Sequence, residues 1–173
     1  MHTETLDINL LADHLVIVLE KQKTLLENSY NEFSKLSKAV ETNDTDAVEQ
    51  TLEAVLEIQQ DQLVIDEDLS EIRKSCADIL NCPQSEITAE VIANNSDADL
   101  KDEILTIRND LRELTEKVSE KHLTAAYLLF ETSKINRALI ENLFVSSEEK
   151  VTTYSADGIK DNSEPTGLLD SEY

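Results

Sequence analysis

The chain has 173 residues, 40% apolar but only 4% aromatic and without tryptophan, so any core must be built mainly from Leu, Ile, Val and Ala. A formal net charge of −22, from 37 acids against 15 bases, repels nucleic-acid phosphates and anionic lipid headgroups, and no basic run offsets it. Glycine and proline occur twice each, and Gly158, Pro165 and Gly167 all fall in the last sixteen residues, so phosphate loops and doubly wound sheets lack their turning residues.

The first residues, Met-His-Thr-Glu-Thr-Leu-Asp, carry no basic leader. The longest early apolar run, Leu15 to Leu19, is far short of a membrane span. The expected location is the cytoplasm, with no membrane insertion. From about Ile8 to Val40 the spacing predicts one long helix. Leu11, Leu15, Val18, Leu25, Tyr30, Phe33, Leu36 and Val40 recur at steps near three and four, with Gln22 and Ser29 as polar steps in the stripe.

Glu41 to Asp46 is polar, and Asn43, Asp44 and Thr45 are suited to cap the next helix. That second helix is predicted to run to about Leu80, with a stripe of Val48, Leu52, Val55, Ile58, Leu63, Ile65, Leu69, Ile72, Cys76 and Ile79, and to stop ahead of Pro83. Eleven acids and no base lie between Glu41 and Glu71, which reads first as a solvated face and second as a docking face for a basic component.

Ser85 to Asn94 predicts a short helix with Ile87, Val91 and Ile92 on one side. A third long helix is predicted from about Asp97 to Glu149. Leu100, Ile104, Ile107, Leu111, Leu114 and Val118 alternate at steps of four and three, the seam of a coiled coil. Asp97 with Lys101, and Glu113 with Lys117, are spaced for ion pairs along it. Past His122 the run Ala125 to Phe130, then Ile135, Ala138, Leu139, Ile140, Leu143, Phe144 and Val145, is too wide for one stripe. The first two helices are shorter than the third, which predicts apolar surface with no neighbour in the monomer. From about Lys150 the chain reads as a flexible acidic tail. Residues 1–149 are therefore expected to form an all-α antiparallel bundle, or coiled coil, of three long helices with a short connecting helix, and 150–173 the tail.

Chemistry-bearing patterns are sparse. Cys76 and Cys82 fit neither a zinc knuckle nor a redox pair and read as reduced thiols. His2, His14 and His122 lack metal-ligand spacing, and no nucleophile–base order stands out. No cofactor, metal or enzymatic activity is expected.

Tyr154-Ser155-Ala156-Asp157-Gly158, following the Asn-bearing stretch Lys134 to Leu143 of a long helix, resembles the Tyr-Gly-Ala-Asp-Gly motif of the FlgN-type flagellar export chaperones. Ser155 stands where that family often has glycine, and residues after Gly158 have no counterpart in it. The resemblance implies a chaperone for hook-filament junction proteins (FlgK- and FlgL-like), which holds their C-terminal helical segments and delivers them to the flagellar export gate. By that correspondence Tyr154 contacts the gate, with Asp157 and Gly158 shaping the turn. The client would lie on Leu128, Leu129, Ile135, Leu139, Ile140, Leu143 and Phe144, on a protein that is a monomer or weak homo-oligomer. A wide apolar helix end is more often buried in its own bundle or a homodimer, and the resemblance is what tips the reading toward a client. A self-associating adaptor coiled coil and a secretion chaperone for another client stay open.

Overall fold

The structure is a computed structural model and describes residues 2–145, 153–154 and 160–161, with side chains described for 7–142. Glycine and proline are missing from long stretches, and the long helices follow from that. Helix α1 spans His2–Glu41, α2 Thr45–Leu80, α3 Ala89–Asn94 and α4 Ala98–Val145, with a 3₁₀ turn at Gln84–Glu86. Two short strands, β1 (Thr153–Tyr154) and β2 (Lys160–Asp161), pair antiparallel, with Tyr154 opposite Lys160. The chain divides into two compact units, residues 1–128 and 129–173. The expected boundary at 149/150 and most of the expected tail lie outside the described residues.

Helix ends sit where local chemistry puts them. α1 closes on Asn43, which takes a positive φ of 53°, while the Asp44 N–H donates to the Ala39 carbonyl at 2.9 Å. Asp44 then caps α2, its carboxylate accepting the Ala47 N–H at 3.1 Å. Asn81, with φ 51°, ends α2 in the left-handed conformation two residues before Pro83. The predicted helix over 85–94 is split. Pro83 is extended and leads into the 3₁₀ turn, and the Thr88 hydroxyl accepts the Val91 N–H and starts α3 afresh.

In the first unit the three long helices pack together around one aliphatic core. From α1 come Ala12, Leu15, Val18, Leu19 and Leu25, from α2 Ile65, Ile72, Cys76 and Ala77, and from α4 Ile104 and Ile107. Ile87, Ile92 and Ala93 of the connection complete it. Each fully buried aliphatic side chain contributes about 2 kcal/mol of transfer free energy. Lys21 pairs with Asp68 at 3.8 Å, and Ser29 and Phe33 share a cleft with Val55 to Gln62, so α1 and α2 meet in descending pairs. Asn9 meets Asp97, Lys23 meets Asp110, and Phe33 meets His122, so α1 and α4 meet in ascending pairs.

Asn9 and Asp97 bond reciprocally. The Asn9 side-chain amide donates to the Asp97 carboxylate at 2.7 Å, and the Asp97 backbone N–H donates to the Asn9 Oδ1 at 3.0 Å. This pins the start of α4 to α1. The expected pairs Asp97–Lys101 and Glu113–Lys117 are not among the ion pairs of the described residues, where Arg112–Glu116 (3.7 Å) and Arg108–Glu90 (3.4 Å) form instead. Leu52 and Leu63, read into the buried stripe of α2, are exposed. At about 100° per residue they lie on the opposite side of the helix from Ile65 and Ile72.

Outside that cluster Leu36, Ala39 and Val40 of α1, Thr51 of α2 and Ala125 of α4 are also buried. Buried Ser29 donates its hydroxyl to its own helix's Leu25 carbonyl at 2.9 Å. Its neighbours around a cleft of about 180 Å³ are Phe33, Val55, Ile58, Gln59 and Gln62. No helix of the described residues is long and apolar enough to cross a membrane.

Candidate functional site

The expected client-binding residues lie on α4, a helix continuous from Ala98 to Val145. Ala125 is its last buried position among the described residues, at 1% exposure. Leu128 and Leu129 are half-buried. Ile135, Leu139 and Ile140 are exposed by 57%, 55% and 55%. At about 100° per residue, Ile135 and Leu139 fall within 40° of each other and Ile140 is a further 100° round, which makes a broad apolar surface. The Leu143 and Phe144 side chains lie outside the described residues.

Arg137 and Glu141 punctuate this surface, the Arg137 Nε donating to the Glu141 carboxylate at 2.9 Å. Lys134 stands 4.0 Å from Glu131. These pairs span one turn of the helix each and are exposed, so each contributes a few tenths of a kcal/mol to about 0.5 kcal/mol. They keep the helix solvated between its apolar side chains.

In the first unit, α4 also exposes Leu123 and Tyr127, four residues apart on one face. Neither was among the expected binding residues, although the apolar run starting at Ala125 already contained Tyr127. A short distance back along α4, the Phe33 and His122 rings stand 5.0 Å apart at a 55° tilt, and the Lys121 ammonium lies 5.7 Å from the centre of the Tyr30 ring. Aromatic and cation–π contacts thus replace aliphatic packing here.

Of the expected gate residues, Tyr154 is described in its backbone, as part of β1. Asp157 and Gly158 lie outside the described residues.

Two titratable groups with perturbed properties belong to the first unit. The Lys23 ammonium is held above its ordinary range, chiefly by its 2.6 Å hydrogen bond to Asp110. Burial pushes the Cys76 thiol up, with a smaller contribution from Cys82, and both cysteines are free. Among the described residues no group of three or more His, Cys, Asp or Glu side chains converges as a metal site. The exposed end of α4 therefore offers apolar contact area, with charged residues setting its edges.

In comparisons with known protein families, curated proteins and solved structures, nothing matches this chain.

Proposed function

We propose that this protein is a cytoplasmic export chaperone of the flagellar type III system, an antiparallel bundle of three long helices that binds the C-terminal helical segments of hook-filament junction proteins. The observation that carries the reading is the exposure of Ile135 and Leu139 on one face of α4, with exposed Ile140 beside them, upstream of Tyr154-Ser155-Ala156-Asp157-Gly158. A client helix would lay its apolar face along them, the helix-in-groove mode. A specific complex of ordinary size buries about 1,600 Å² in total, and ordering an unfolded client costs about 2–5 kcal/mol of the gain. The net affinity is moderate, which suits a handover. Tyr154 is the proposed contact with the export gate.

Co-expression with candidate junction proteins, followed by co-purification, tests the reading. Leu139→Glu and Ile140→Glu should each abolish capture of the client and leave far-UV helicity near wild type. Tyr154→Ala should keep client capture and lose export. Capture that survives both glutamate variants removes the proposed groove, and normal motility of the tyrosine variant removes the gate assignment. The same exposed surface also favours a second reading, a self-associating adaptor coiled coil. Light scattering separates the two, because an obligate oligomer keeps its mass on dilution and a client-free chaperone is mainly monomeric.

A further inference from the structure

Helix α2 turns a second apolar seam outward, away from the core. Leu52, Leu56 and Leu63 are all exposed, and with Gln59 they follow steps of four, three and four. At about 100° per residue the three leucines fall within 40° of one another, on the side opposite buried Ile65 and Ile72. This is the spacing that seats a partner helix in a coiled coil, here running for about three turns.

The surroundings of the seam say what fits it. Glu49 and Asp66 close its two ends, Glu53 and Glu67 line one edge, and Glu57 lies just beyond, all exposed. No Lys or Arg occurs anywhere from residue 41 to 71. On the other edge the cleft of about 180 Å³ between α1 and α2 adjoins the seam, and Gln59 belongs to both. A side chain from a helix lying on the seam can enter that cleft beside Phe33, Val55 and Ile58. A second copy of this chain is a poor occupant, since it would set the same acids against each other in a protein of net charge −22.

We infer that the outward face of α2 docks a basic amphipathic helix of a partner protein, with apolar residues on the Leu52–Leu56–Leu63 seam and Lys or Arg opposite the flanking acids. This site is separate from the α4 surface and does not rest on the export-chaperone reading. A seam of three turns belongs to the smaller, transient class of interfaces. Its affinity should be modest and salt-sensitive, because the flanking charges are exposed.

The probe is a labelled four-heptad peptide with Leu at the two core positions and Lys at the flanking ones, titrated with the full chain and followed by fluorescence anisotropy. Binding in the micromolar range is expected, weakening about tenfold between 50 and 300 mM salt. The same peptide with Glu at the flanking positions should not bind. The L56E/L63E variant should bind at least about tenfold more weakly, although it is the more acidic protein. E53Q/E67Q should weaken binding about threefold and flatten the salt dependence. All four positions are exposed, and circular dichroism checks that the variants stay helical. Equal binding by L56E/L63E would mean that the peptide senses net charge alone, and the site is then refuted. Failure of the wild-type chain to bind at millimolar concentration refutes it as well. So does sedimentation showing a wild-type dimer that L56E/L63E dissolves, because the occupant is then a second copy.

Discussion

Two isoleucines on the same helix should respond in opposite ways to the same substitution. Ile104 is 0% exposed and packs in the core that α4 shares with α1 and α2, whereas Ile140 is 55% exposed. Truncating Ile104 to alanine removes three carbons, at about 0.8 kcal/mol each, and leaves a cavity that the surrounding aliphatic side chains fill only in part. The expected cost is about 3–4 kcal/mol, or a fall in Tm of about 6–16 °C for a chain of this size. Ile140→Ala loses little burial and gains helix propensity of up to about 0.4 kcal/mol, so its effect should stay within about 0.5 kcal/mol. Thermal and urea unfolding, followed by circular dichroism at several protein concentrations, measure both. A cost below about 1 kcal/mol for Ile104→Ala would show that α4 is not held to the α1–α2 pair through this core. A concentration-dependent cost above about 2 kcal/mol for Ile140→Ala would show that another molecule covers that surface.

Two further outcomes can be checked with standard assays. With Cys82→Ala leaving Cys76 as the sole thiol, disulfide exchange with a chromogenic reagent at pH 8 should be at least about tenfold slower than for Cys82 alone in Cys76→Ala, and the gap should close in denaturant. Because the folded-state pKa of Cys76 lies above its unfolded value, its contribution to stability is complete below the ordinary thiol range. That contribution is lost as pH rises through the raised value, so the stability lost between pH 8 and pH 11 should be smaller in Cys76→Ala. Asp44→Ala removes the cap of α2 and should cost about 1 kcal/mol, seen as a fall in Tm of about 2–4 °C, whereas an unchanged Tm would mean that solvent replaces the cap without loss.

The helical framework was legible because its punctuation is local. The polar stretch Glu41 to Asp46 and Pro83 stop and start helices within a few residues, and the observed ends fall in or next to them, whereas the left-handed Asn81 that closes α2 was not read from the sequence. The seam from Leu100 to Val118 was equally readable, since each of those side chains is buried or half-buried. The stripe of α2 was harder. Leu63 and Ile65 are two residues apart, a step that no single helical face accommodates, and that step already separated the inner face from the outer one. The Asn9–Asp97 pair could not be anticipated, because 88 residues separate two polar side chains that meet only once the helices have packed. For the candidate site, the apolar residues of α4 could be listed from their spacing, but which were covered depended on tertiary neighbours. Leu128 and Leu129 are half-covered, while Ile135, Leu139 and Ile140 are exposed.

Buried Ser29 sets one small side chain in the aliphatic stripe of α1, between buried Leu25 and Leu36. Purely greasy rods can slide past one another by a whole heptad at little penalty. Here a one-heptad slip of α1 toward its C-terminal end would put Ser29 in the place of buried Leu36 and leave a cavity there, and the opposite slip would press Leu36 into the place of Ser29. The small residue therefore works as an alignment key. It gives up a little cohesion and in return favours one register for α1.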